Sequence, residues 1–113
     1  ARVPARIRFL SIEPVTARVG PIDLAGIHWV ITAGESGRRA RLCDPAWTRE
    51  VRDQAVAAGV AYFHKQHGNY RSNPLVWEEG KTEAQAERAD PPSNGKGGGL
   101  LDGRLWREFP ETP

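Results

Sequence analysis

Three stretches of the chain are dominated by apolar residues, and each ends at a backbone breaker. Ile7-Arg8-Phe9-Leu10-Ser11-Ile12 closes on Glu13-Pro14, Ile27-His28-Trp29-Val30-Ile31-Thr32-Ala33 closes on Gly34, and Val60-Ala61-Tyr62-Phe63-His64-Lys65 closes near Gly68. Their β-branched and aromatic content predicts strands. The second run is almost continuously apolar, which suits a strand covered on both faces of a parallel sheet. Between the second and third runs the period changes to that of a helix. Trp47, Val51, Ala55 and Ala58 mark its apolar face, Asp44 is placed to cap it, Pro45 fits its first turn and Gly59 its end. Arg49 and Asp53, four apart, are a supporting pair on its polar side.

The order strand, connection, strand, helix, strand predicts a small α/β domain with a parallel sheet and a flanking helix. The first connection, Val15 to Gly26, is long enough for a parallel crossover but lacks a long helical pattern. The expected organisation is a βαβ core over 1–70, a mobile polar loop over 71–99 with a short helix near Lys81–Arg88, and a hairpin over 100–113 packed on the core. Asp90-Pro91-Pro92-Ser93-Asn94-Gly95 and Gly97-Gly98-Gly99 are the breakers in the loop, and Trp77 is its isolated apolar residue. Asp102-Gly103 between Leu100-Leu101 and Leu105-Trp106 is the hairpin signal.

Composition narrows the class. The chain has 113 residues, a single Cys and no Met. The length suits one domain. The missing Met predicts a trimmed chain or a piece of a longer protein. One Cys cannot form an internal disulfide, nor alone hold an iron–sulfur cluster or a structural zinc, so a disulfide scaffold is excluded and a reducing cytoplasm is expected. No apolar run approaches the ~18 residues of a membrane span. A formal net charge of +2 argues neither for nor against nucleic acid.

In parallel α/β sheets functional side chains gather where strands end. Those ends carry Glu13, then Glu35-Ser36, then Lys65-Gln66 with His67. They are either a polar cluster or charged residues leaving the sheet into solvent. Gly34 and Gly37 bracket a loop whose amides can form an anion nest, with Arg38, Arg39 and Arg41 supplying charge. Ser36 lacks the Gly that a nucleophile elbow needs at position 38. His64 and His67, with Cys43 or Asp44, converge on a metal only if the chain turns at Lys65-Gln66, since positions three apart on a strand face opposite ways. No metal site is therefore assigned. Cys43, just before the helix cap, is placed for a lowered pKa but has no motif partner. Trp29, Trp47, Trp106, Tyr62, Phe63 and Phe109 fit core packing better than base stacking.

Several segments carry a resemblance as a set. They are Arg8-Phe9-Leu10-Ser11-Ile12-Glu13-Pro14, Gly20-Pro21-Ile22-Asp23-Leu24, Trp29-Val30-Ile31, Gly34-Glu35-Ser36-Gly37-Arg38-Arg39-Ala40-Arg41, Tyr62-Phe63-His64-Lys65-Gln66-His67-Gly68 and Leu100-Leu101-Asp102-Gly103-Arg104-Leu105-Trp106. Together they resemble the carboxyl-terminal half of the phage gene product 37/68 like family. Its full-length members look like divergent radical S-adenosylmethionine proteins with a three-cysteine segment on a partial (β/α) barrel. The chain departs from the family pattern at Ala33 and His67, where Gly and Trp are expected. The resemblance implies the last strands of such a barrel. Glu13, Glu35, Ser36 and Lys65 would then help hold substrate or the charged parts of the cofactor. The cluster and S-adenosylmethionine would belong to the parent, and this chain alone would be inactive. Expected partners are the missing amino-terminal half or a second copy. The alternative is a non-enzymatic nucleic-acid or protein binding module using the Arg38–Arg41 loop.

Overall fold

The computed structural model describes residues 7–37, 39–89 and 96–110. Strands β1 (Phe9–Ile12), β2 (Trp29–Thr32) and β3 (Ala61–His64) form a parallel sheet in the order β1-β2-β3. The register aligns Phe9 with Trp29 and Ala61, and Ile12 with Thr32 and His64. Because side chains alternate along a strand, Leu10, Ile12, Val30, Thr32, Tyr62 and His64 share one face. Phe9, Ser11, Trp29, Ile31, Ala61 and Phe63 share the other.

Helix α1 (Pro45–Ala57) crosses over the first face between β2 and β3. Asp44 Oδ1 accepts from Ala46 N at 2.9 Å, satisfying one of the amides left open at a helix start. Ala58 caps the other end and Gly59 follows at φ +69°. Val51 and Ala55 of α1 pack on Val30, Val60, Tyr62 and Leu101 to make the core, with Ile12, Ile22, Leu24, Ile27 and Trp106 around it. Thr48, rather than Trp47 or Ala58, completes the buried stripe of α1. Arg49 and Asp53 do not pair with each other. Arg49 reaches Asp102 at 2.9 Å, and Asp53 pairs with its neighbour Arg52.

The β1–β2 connection contains no helix and is held by α1 instead. Gln54 accepts from Ile22 N at 2.7 Å and donates to Gly20 O at 3.0 Å, while Arg18 makes a two-pronged pair with Glu50. Within 71–99, a single 3₁₀ turn (Tyr70–Ser72) leads into the segment, and helix α2 spans Glu83–Ala89, close to the expected short helix. Thr82 and Gln85 form a reciprocal capping box at its start. Ser72, Asn73, Val76 and Ala86 are buried, and Asn73 donates to Gly97 O at 2.8 Å. Trp77 folds back under the Arg71 guanidinium, 5.9 Å from the ring centre. The breakers at 90–95 lie outside the described residues.

Strands β4 (Leu100–Leu101) and β5 (Arg104–Leu105) form the hairpin. Asp102 and Gly103 have φ +52° and +76°, the left-handed pair that a tight two-residue turn requires. Asp102 is gripped by Arg49 and Arg52 of α1, and Trp106 lies between Arg52 and Arg104. The chain then runs antiparallel along the outer edge of β3. His64 N donates to Trp106 O at 2.7 Å and Glu108 N to Tyr62 O at 3.0 Å. Among the described residues the β1 edge has no such cover. The Arg8 and Ile12 carbonyls point to β2, so by alternation the backbone groups of Phe9 and Ser11 point outward. Among the described residues, no helix is long and apolar enough to cross a membrane.

Candidate functional site

The helix-free face carries a polar group where its strands end. Ser11 and Glu13 continue the outward-facing register of β1, and Lys65 that of β3. Between them, β2 ends in the small residues Ala33 and Gly34, both buried. Glu13 and Lys65 meet there, across two strand spacings of ~4.8 Å each, with Lys65 Nζ 2.6 Å from Glu13 Oε1. The Ser11 hydroxyl donates to the other Glu13 oxygen. Lys65 and then Ser11 hold the Glu13 carboxyl below its ordinary range, against a smaller effect of burial.

Arg107, from the segment along β3, completes this group, and its isolated place in a polar tail gave no sequence signal. Its guanidinium lies 5.5 Å from the Phe63 ring centre, and Nη2 donates to Lys65 O at 3.3 Å. Its Nε is buried and finds no acceptor.

Glu35 does not join the cluster. It turns to its own loop and receives Arg41 three times, from the backbone amide at 2.8 Å and from Nε and Nη2 at 3.2 and 2.7 Å. Those bonds hold its carboxyl at about 2. The expected anion nest therefore has a resident anion, the Glu35 carboxylate, and Arg41 spends its charge there. Ser36 is exposed, and Arg38 lies outside the described residues. Gly37 has φ +102°, as a nest-forming glycine should. Gly34 is required for a different reason, because an added Cβ would lie 1.8 Å from His67 O. Gly68 and Gly97 are equally crowded, by Glu35 O at 2.3 Å and by the Asn69 backbone at 2.5 Å. Three loops are thus piled on one another at the carboxyl end of the sheet, and Gly34 N donates to Gln66 O at 2.9 Å within the pile.

Behind the sheet, His64 and His67 do converge, because the chain leaves the strand after Lys65. Their rings are 4.9 Å apart and nearly perpendicular. His64 Nδ1 lies 3.2 Å from Thr32 Oγ1, which lies 2.6 Å from the Tyr62 hydroxyl, and His67 Nε2 is 2.6 Å from Leu100 O. Burial, then the charges of His67 and Arg107, push the His64 imidazole down to about 3. Cys43, placed by the sequence for a lowered pKa but without a motif partner, is a packed thiol with the opposite shift. It is buried beside Thr48 Oγ1 at 3.4 Å, and burial raises its pKa. Among the described residues no group of three or more His, Cys, Asp or Glu is placed to hold a metal ion.

The family described as "Protein of unknown function (DUF5131)" matches residues 1–110. The chain belongs to that family. No curated protein and no solved structure matches it significantly. Within this DUF5131 chain the three thiolates that an iron–sulfur cluster takes from a protein are not available, since the sequence holds Cys43 alone. The residues present do not fit that group, and no chemistry is derived through it.

Proposed function

We propose that this chain forms the last strands of a larger, open (β/α) barrel in a radical-S-adenosylmethionine-like protein. It contributes one wall of the pocket and is inactive alone. The supporting observation is the asymmetry of the sheet. One face is covered by α1 and the β3 edge is closed by residues 106–108, whereas no described residue pairs with the β1 edge. On the other face Phe9 is 61 % and Phe109 68 % exposed. Parallel sheets are normally buried on both faces, and preceding β/α units would supply the missing strand and cover. In that arrangement Ser11, Glu13, Lys65 and Arg107 face the mouth. Glu35 shapes the adjacent loop through Arg41.

The test has two parts. The reading frame upstream of Ala1 is expected to encode a cysteine triplet, and co-expression of that segment with this chain is expected to give a one-to-one complex. Anaerobic incubation of this chain alone with iron and sulfide is expected to yield no cluster absorption. A stoichiometric cluster on Cys43 alone, or an upstream frame without the triplet, overturns the reading. The alternative of an Arg38–Arg41 nucleic-acid surface has less support, because Glu35 already neutralises Arg41.

A further inference from the structure

A guanidinium has five N–H donors in a fixed fork. Among the described residues Arg107 makes one hydrogen bond, the long one to Lys65 O, and has no carboxylate within ion-pair distance. Its Nε–H is buried without an acceptor, a costly state for a charged donor. The guanidinium is held against the Phe63 face and beside the Lys65 backbone, so two cationic side chains start from neighbouring points at the mouth. Lys65 meets Glu13 in a pair whose side chains are 45 % and 32 % exposed. Such exposed pairs hold weakly, so this one opens easily.

We infer that Lys65 and Arg107 form an oxyanion subsite, for a phosphate or carboxylate group of a ligand, with Glu13 as the internal anion that must give way. An entering oxyanion takes the Lys65 ammonium from Glu13. It also supplies the acceptor that Arg107 lacks, through a bidentate contact that a small rotation over Phe63 opens. Glu13 then keeps the Ser11 hydroxyl as its partner. The inference rests on the barrel reading for its meaning, since the subsite faces the mouth, but its residues all lie in this chain.

The experiment titrates the chain with inorganic phosphate, and separately with acetate, at constant ionic strength. The readouts are Ser11 and Phe63 amide shifts and the Arg107 side-chain Nε–H signal in NMR spectra. Saturable shifts at these three positions are expected, with phosphate the tighter ligand. Glu13→Gln is expected to tighten binding severalfold, while Lys65→Met and Arg107→Met each weaken it at least tenfold. Arg107→Lys keeps the charge but not the fork, and is expected to lie between. Acetate binding at the same positions without phosphate binding also supports the subsite and narrows it to carboxylates. Absence of saturable shifts, equal shifts at Arg39 and Arg71, or unchanged affinity in both Met variants overturns it. If the upstream segment forms its complex but these titrations fail, the subsite alone is wrong; saturable binding without an upstream triplet leaves the subsite and removes the barrel.

Discussion

Replacing Gly34 by Ala tests the piled loops directly. Gly34 has an ordinary backbone angle, so Ala is not excluded by φ; only space excludes it. The added methyl would sit 1.8 Å from His67 O and 2.5 Å from His67 C, where real Cβ atoms keep at least 3.0 Å. Relief needs a movement of 3.0 − 1.8 = 1.2 Å between two backbones. Neither backbone is free to make it. Gly34 N is bonded to Gln66 O, and His67 N is bonded to Gly98 O. Overpacking against side chains costs about 1–3 kcal/mol, and against fixed backbone the upper end or more is expected. For a chain of this size about 3 kcal/mol lowers the melting midpoint by on the order of 10 °C or more. Gly37→Ala is the matched control, because a Cβ there meets nothing within 4 Å and the loss is only that of an Ala at φ +102°, about 1–2 kcal/mol. Urea unfolding followed by Trp fluorescence measures both. Equal losses, or a Gly34→Ala loss below about 1 kcal/mol, refutes the close crossing.

Three further outcomes follow from the electrostatics. His64 stays neutral in the fold down to about pH 3 but takes a proton near 6.5 when unfolded, so its contribution is complete above pH 6.5 and is lost as pH falls toward 3. The slope reaches at most ~1.4 kcal/mol per pH unit. Urea titrations over that window should show a shallower slope for His64→Gln, and identical slopes would reject the assignment. A carbon-detected NMR titration should find the Glu35 carboxyl changing near pH 2 in the parent chain and returning to the usual carboxylate range in Arg41→Ala. Cys43, buried with a raised pKa, should react with iodoacetamide only after unfolding; rapid alkylation of the native chain would contradict its placement.

What could be read in advance was local. Asp44-Pro45 and Gly59 delimit α1 because caps act within one turn, and Asp102-Gly103 announces the hairpin because both residues must tolerate positive φ. Alternation also puts Ser11, Glu13 and Lys65 on one face once the sheet is parallel. What could not be read depends on distant chain crossings. Glu35 has carboxylate chemistry suited to either the strand-end cluster or its own loop, and only the fold of residues 35–41 decides for Arg41. Gly34 looks like a flexible loop glycine, yet its role is set by His67, which arrives from another strand end. Arg107 sits in a polar tail, and its approach to Lys65 spans 42 positions. The same limit explains the helix surface, where Arg49 prefers Asp102 of the hairpin to Asp53 one turn away.

The antiparallel run beside β3 also bears on the order in which the molecule can be completed. Trp29 Nε1 donates to Glu108 O across 79 positions, and Lys65 O receives Arg107 across 42. Closing a 42-residue loop costs about 3 kcal/mol of chain entropy before any contact rewards it. During synthesis the three parallel strands can pair and α1 can dock while β3 still has a bare edge. Until residue 108 has been made, that nascent sheet exposes its β3 margin, the condition under which strands recruit the wrong neighbour. The final antiparallel segment therefore acts as a late seal on the β3 margin of the sheet.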